Sequence, residues 1–586
     1  MGRRYRGGFL TPNPPALGIP PNTYGVTNLS QEFQARGQTL WPVGPNAPTI
    51  VATYPGDSQV AVTFTPSTTY GYPNSMGSYY ALATPGNITG NVSSTSPVAV
   101  TGLTNGVSYT VQIVPLNSGN VTGTYSSASS VTPAAPNYYV VSFSNSPNVN
   151  GAQGTVGYDS YNDKLYVSLN STSGAYAAVA RLSGNSFATD YTTAFTAGTG
   201  GQFYAPIYNQ TANNITFFSY IPAQDSCVFA SSTALANGTS TSWNRSYSIS
   251  YDGKPNTAVT YGAGQWYGHA RDVSGNGYIV GRVASTPYDS AGFVFKIDTS
   301  GVPVSGWKFG NTTTGSGEYS NLSGVAVDSD GNVYCVGGIT TSSVSGGLLV
   351  KFNSSGSVVW QKVFSDTVSN SIFNFGSQKP IVIDSSGNIY VVAGNYGSTN
   401  SELFKFDSSG TLLWARKYAW GSAASGSGVT VDFAGNVYIM FMAYVGTGAN
   451  ASRLVTVKYN SSGVIQWQRY WSTSATSYTN FFINYGITIV SLLDSALVYG
   501  CTGNDASTSG YPTYFKVPQD GSHTGAYTVR GITYTYAAGS GTDSAVSTSN
   551  VDNTFFPTWG AATASSVSLL TLTSSTFSTS STSTTI

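Results

Sequence analysis

Between residues 272 and 467 the chain writes one two-part pattern four times. The first part is Asp, two residues, Gly, Asn, one residue, Tyr. It occurs at Asp272/Gly275/Asn276/Tyr278, Asp328/Gly331/Asn332/Tyr334, Asp384/Gly387/Asn388/Tyr390 and Asp432/Gly435/Asn436/Tyr438. The leading Asp recurs after 56, 56 and 48 residues. The second part is a hairpin ending in Trp, read as IDTSGVPVSGW, FNSSGSVVW, FDSSGTLLW and YNSSGVIQW. Trp307, Trp360, Trp414 and Trp467 follow one another at 53, 54 and 53 residues. A unit of that length holds about four strands, and a lone four-stranded sheet leaves two bare faces. Similar sheets packed side by side cover those faces for one another. The Asp suits a turn cap that accepts from backbone amides, and the Gly suits a positive φ.

Weaker copies extend the series. GYDSYNDKLYVSL (157–169) reads as a first unit, and IYNQTANNITFFSY (207–220), closing near Trp243, as a second. GITIVSLLDSALVYGCTG (486–503) with YFKVPQDG (514–521) reads as the last, for a total of seven, with six or eight left open. The repeat resembles bacterial β-propeller families built on a D-x-x-G-N-x-Y hairpin. That resemblance implies a propeller over residues 137–545. Strand YYVVSF (138–143) precedes the first unit and is expected to join the last, which would remove an exposed edge.

Three further segments flank the repeats. Residues 1–44 form an arm rich in Pro and Gly. A short helix is expected at 28–36, capped by Asn28, with Gln31 at its third position, Leu29 and Phe33 one turn apart, and Gly37 ending it. Nine residues are too few for a free-standing helix, so it should dock. Residues 45–135 carry alternating strands such as QVAVTF (59–64) and SYTVQIV (108–114). The passage GLTNGVSYTVQIVPLNSG resembles the end of a fibronectin type III domain. Leu103 and Tyr109 match its tyrosine corner, and Phe64 stands where the family's early Trp would be. Residues 546–586 form a Ser/Thr-rich C-terminal segment, and VDNTFFPTWGAATASSVSLLTLT is expected to add one or two strands. The fold class is therefore all-β: arm, sandwich, propeller and tail.

Composition narrows the partners. Charged residues are 8% of 586 and the net charge is zero, so no nucleic-acid or acidic-membrane footprint is present. No run reaches the ~18 apolar residues of a membrane span, and no membrane insertion is expected. The start, MGRRYRGGFLTPNPP, is basic without an apolar stretch, and is read as neither a secretory signal nor, with Arg6 at position six, a myristoylation site. Cys227, Cys335 and Cys501 are odd in number and far apart, which points to free, buried thiols.

Catalytic signals are faint. His269 and His523 lie in unrelated places, and no Cys/His group has zinc spacing. The turn DSDGN offers Asp328 and Asp330, short of the six to eight oxygens calcium takes, so a capped hairpin is the better reading. The Ser-Ser-Gly…Trp hairpins resemble the sialidase Asp-box but lack its Asp and place Trp one residue further on. No enzyme, cofactor or metal is expected.

Binding signals are clearer. In a meander the short SDGN and SSG turns lie at one end of each sheet, and the long connections gather at the other. Those connections carry Tyr319, Asn395, Tyr396, Trp420, Tyr444, Asn450 and Tyr478, a mix of aromatics and amides suited to sugar or protein contact. Arg3, Arg4 and Arg6, with Leu29, Phe33 and Trp41, form the expected anchoring set of the arm. The start resembles marine tailed-phage, cyanophage-like virion proteins. The matching residues are Arg3, Arg4, Gly7 and Gly8, then Leu29, Gln31, Gln34, Gly37, Trp41 and Pro42. The resemblance implies a tail-fibre or appendage component, assembled in the host cytoplasm and exposed after lysis. Its implied partners are other virion proteins of tail, neck or capsid and a host-surface glycan or lipopolysaccharide, with a homo-oligomer or several copies per particle. A capsid or neck decoration protein is the alternative, and a propeller-type polysaccharide depolymerase ranks behind both.

Overall fold

The computed structural model describes residues 44–585 except 72–73, 145–154, 161, 171–176, 185, 196–201, 204–206, 210–213, 222–225, 233–242, 250–264, 287–288, 310–318, 341–344, 367–379, 395–397, 445–451, 474–487, 505–509, 530, 541, 546–547, 553–559, 562–563, 567–573 and 577–579. Among the described residues there are strands and no helix, so the fold is all-β. The helix expected at 28–36 lies outside them. The chain divides into two compact units, Met1–Pro136 and Asn137–Ile586.

In the first unit a three-stranded sheet (Thr49–Gly56, Gln59–Thr65, Val98–Thr101) faces a four-stranded one (Ile88–Thr89, Met76–Thr84, Tyr109–Asn117, Ser129–Val131). Alternate residues of both turn inward: Val60, Val62 and Phe64 from one, Tyr79, Ala81, Ala83, Val111 and Ile113 from the other. Phe64 lies 4.7 Å from the Tyr79 ring, the place in the core expected of it. Tyr109 Oη accepts the Thr104 amide at 3.2 Å beside the buried Leu103.

Among the described residues the second unit forms antiparallel sheets, labelled in chain order by their first strands: I (Val156–Asp159), II (Ile207–Asn209, with Gln202–Phe203 beside it), III (Gln265–Arg271), IV (Tyr319–Val327), V (Ile381–Ile383), VI (Leu412–Val431) and VII (Ile489–Ser491). Sheet III is Gln265–Arg271, Gly277–Thr286, Asp289–Ile297 and Pro303–Phe309, and sheet IV is Tyr319–Val327, Val333–Thr340, Ser345–Phe352 and Val358–Asp366. Sheets V and VI share one long strand, Leu412–Val431, outermost in V and innermost in VI. The innermost strands neighbour one another in the order I to VII, and Ile489–Ser491 of sheet VII returns to Val156–Asp159 of sheet I. Sheet VII completes itself with Tyr139–Ser144, paired to Gly510–Pro518 from Lys516↔Tyr139 to Thr513↔Ser142. The segment before the first repeat thus joins the last, as expected.

Burial on both faces explains the sequence of the second strands. Strands buried on both sides read as unbroken apolar runs. In VYCV, Val333 and Cys335 pack toward sheet III, while Tyr334 and Val336 pack toward sheet V. In IYVV the same split sends Ile389 and Val391 one way, Tyr390 and Val392 the other.

VDNTFFPTWGAATASSVSLLTLT (551–573) carries two whole strands, Gly560–Ala561 and Ala564–Ser566, and the end of Thr548–Asp552. The Ser/Thr-rich residues beyond it add Ser574–Thr576 and Ser580–Thr585. Each pairs with the outer strand of a different sheet. The outermost strand of a sheet carries unpaired N–H and C=O groups that another strand can satisfy, and the threonines of this segment suit extended backbone.

Phe404 is fully buried between sheets IV and V, 4.8 Å from Phe364 and stacked on Phe406. Phe404→Ala is expected to cost about 3–5 kcal/mol, read by urea denaturation.

Candidate functional site

The two ends of the sheets are built differently. At the short-turn end every carboxylate of the repeated motif is consumed by its own turn. Asp328 Oδ1 accepts the amides of Asp330 (3.0 Å) and Asn332 (2.8 Å). Its Oδ2 accepts Asn332 Nδ2 (2.8 Å) and the Tyr334 hydroxyl (3.1 Å). Asp272, Asp384 and Asp432 hold the same Asn and Tyr partners. Burial, and then the adjacent carboxylate, push the four tyrosine hydroxyls well above the ordinary phenol range, so they stay protonated donors. The turn is a capped hairpin, with its oxygens already satisfied. Among the described residues no three His, Cys, Asp or Glu side chains gather as metal ligands.

The same end also carries the fastening between repeats. The Trp of each repeat lies against the turn glycine of the next: Trp307 on Gly356, Trp360 on Gly410, Trp414 on Gly463, Trp467 on Gly521. A Cβ at Gly356 would fall 1.8 Å from Trp307 Cζ2, and its φ is +87°. Glycine is therefore required twice over, for backbone and for contact. The indole Nε1 of Trp360, Trp414 and Trp467 donates to Ser408, Ser461 and Gln519 carbonyls at 3.3, 3.2 and 3.0 Å.

A lysine that the sequence reading missed works beside each Trp. Lys351, Lys405 and Lys458 lie 5.0 to 5.2 Å over the rings of Tyr334, Tyr390 and Tyr438. Lys405 and Lys458 also donate to the Ser461 and Gln519 carbonyls at 3.0 and 3.1 Å. Where the last repeat meets the first, Lys516 donates to the Gly184 carbonyl and to Asp494, both at 2.6 Å, with its side chain fully buried. Burial raises the Asp494 carboxyl above the usual carboxylate range although Lys516 pulls it down. The signal was present as Lys, an apolar residue, then Asp, Asn or Pro, in VFKID, LVKFN, LFKFD, TVKYN and YFKVP.

The long-connection end is the candidate binding surface. Tyr319 pairs with Thr340 and Tyr444 with Ser452, which places both at this end of their sheets. Trp420 lies on the shared strand between residues that pair with Asn400 and with Tyr444. Its half-buried indole meets the Tyr470 ring edge-on at 5.1 Å, and the Arg453 guanidinium sits 5.7 Å over that ring. Trp420 is thus brought together with two residues the sequence did not single out. An aromatic pair beside a guanidinium offers an apolar plate and hydrogen-bond donors in one place. Asn395, Tyr396, Asn450 and Tyr478 lie outside the described residues, as do Arg3, Arg4, Arg6, Leu29, Phe33 and Trp41.

His269 stands on the innermost strand of sheet III with Nε2 shut off from solvent. Burial pushes its pKa down to about 3, and Arg271 adds to the effect.

No family model matches the chain, and no curated protein matches it. Similar solved structures include a hydrazine synthase from Kuenenia stuttgartiensis, 13% identical over 49% of this chain and 71% of that one, with a TM-score of 0.33. A protein of unknown function from Dyadobacter fermentans is 9% identical over 65% and 98%, TM-score 0.36. An auxiliary nutrient binding protein from Bacteroides thetaiotaomicron is 10% identical over 81% and 99%, TM-score 0.28. Likeness at this level carries no argument about fold or function.

Gly356→Ala is expected to destabilise the protein by about 2–4 kcal/mol, from the positive φ and the collision with Trp307 together, measured by denaturant titration. His269 predicts a pH effect. Its folded pKa lies below the unfolded value of about 6.5, so the unfolded chain takes up the proton first and stability falls as pH drops from there toward 3. Between pH 6.5 and 5 the loss from this residue is about 2 kcal/mol, and His269→Asn should flatten that part of the stability profile.

Proposed function

We propose that residues 137–545 form a seven-bladed β-propeller followed by a C-terminal segment at 546–586, that residues 45–135 form a fibronectin type III-like sandwich, and that the whole is a phage virion structural protein. It serves as a tail-fibre or appendage component. The arm, through Arg3, Arg4, Arg6, Leu29, Phe33 and Trp41, anchors it to other virion proteins, and the propeller presents its long-connection face to a host-surface glycan or lipopolysaccharide.

The observation that carries this reading is the contrast between the two ends of the sheets. One end spends its Asp, Tyr, Lys and Trp side chains on caps and on joints between repeats. The other end is left free to vary around a rigid frame, and it holds Trp420, Tyr470 and Arg453. Aromatic plates flanked by donors suit sugar rings, which present apolar C–H faces and a rim of hydroxyls. The low charge and the dependence on apolar burial suit a particle that meets changing salt. The alternative, a capsid or neck decoration protein, uses the same face for other virion proteins, and labelling of intact particles separates the two by position.

Trp420→Ala and Arg453→Ala are each expected to weaken binding to purified host lipopolysaccharide at least tenfold, with Arg453→Ala leaving unfolding stability within about 1 kcal/mol of the parent and Trp420→Ala also lowering it because its indole packs on the core. Unaltered binding by both variants would remove this face from the proposal. A chain lacking residues 1–44 should fail to enter particles.

A further inference from the structure

The C-terminal residues trace a complete circuit. The hairpin Gly525–Val529 and Ile532–Ala538 pairs with the outer strand of sheet VI, from Arg469↔Ala538 to Thr473↔Tyr534. Thr542–Ala545 then pairs with the outer strand of sheet V at Arg416–Ala419. Thr548–Asp552 pairs with sheet IV at Lys362–Asp366, and Gly560–Ala561 with sheet III at Trp307 and Lys308. Ala564–Ser566 pairs with sheet II at Tyr247–Ile249, and Ser574–Thr576 with sheet I at Thr193–Phe195. Ser580–Thr585 finally pairs with Tyr139–Ser144 of sheet VII across six residues. The order VI, V, IV, III, II, I, VII visits every sheet once, against the direction of the repeats.

Two features separate root from belt. The root is bound by side chains: Ile532, Tyr534 and Tyr536 are buried with Trp471, whose ring stacks on Tyr536 at 4.7 Å. The strands after residue 541 pair with the outer strands through backbone ladders, several only two or three residues long. The last strand is placed where the ring is joined. Tyr139–Ser144 lies between Gly510–Pro518 and Ser580–Thr585, so the strand that joins the two ends of the repeat series is covered by the final strand of the chain.

We propose that residues 542–585 are a closing belt that pairs after the ring has formed and locks it kinetically, with Ser580–Thr585 as the clasp over the seam. Sheets VII and I meet through a buried core and the Lys516–Gly184 bond, while the outer edge of Tyr139–Ser144 stays open until Ser580–Thr585 pairs with it. Interactions that form after the transition state slow unfolding and leave the folding rate nearly unchanged. The belt also occupies the outer edges through which one ring would pair with another.

The test compares the full chain with chains ending at residue 579 and at residue 541. Unfolding in strong denaturant and refolding on dilution are followed by tryptophan fluorescence, and association by light scattering. Removal of the clasp should speed unfolding about tenfold or more and change refolding less than about twofold. Removal of the whole belt should speed unfolding further and bring concentration-dependent association. Thr582→Pro in the full chain, which deletes an amide opposite Ser142, should act in the direction of clasp removal. Unchanged unfolding in all three variants would overturn the proposal, and so would refolding slowed by the same factor. A chain ending at 541 that never forms the ring would overturn it too, since the belt would then be part of the core.

Discussion

The described cores of the second unit depend on sheets IV and V each burying both faces against two neighbours. A second strand such as Val333–Thr340 sends alternate side chains into two different cores, one shared with sheet III and one with sheet V. With 8% charged residues the chain has few ion pairs to draw on, so this apolar contact and the backbone ladders carry most of the stability. Neither of these two sheets satisfies its own core. Each is complete only when both neighbours are present, and the innermost strands return to their start.

The polar residues of the repeat set the joints. Asp fixes the first turn, and the glycine of the second turn receives the indole of the preceding repeat. Lysine and Trp side chains then meet the same carbonyl: Lys405 and Trp414 both donate to Ser461, and Lys458 and Trp467 both donate to Gln519. Two donors converging on one acceptor from different strands define the angle between sheets more tightly than apolar packing does alone. At the seam Lys516 keeps its reach to the next turn, at Gly184, and gains Asp494 as a buried counter-charge.

The repeats were legible because turn chemistry is local. Asp, Gly and Asn at fixed offsets specify a hairpin wherever they stand. The repeated capped hairpins and the return of strand 138–143 to the last sheet followed from short patterns of this kind. The partners of those patterns were less legible, since they come from the next repeat. Nothing near Gly410 says that Trp360 will lie against it, and nothing near Trp420 announces Tyr470 and Arg453, fifty and thirty-three residues on. The C-terminal segment was hardest to read. Its Ser/Thr composition resembles a solvated tail, and only the row of open outer edges gives it a reason to be extended.

The four Trp–Gly joints all point the same way along the chain. Trp307 reaches Gly356, Trp360 reaches Gly410, Trp414 reaches Gly463 and Trp467 reaches Gly521, so each repeat offers a knob forward and a socket backward. Any such repeat can follow any other with its contacts matched. Duplication or excision of one whole unit in the gene would therefore preserve the joints on either side, and only the curvature of the circle would have to adjust.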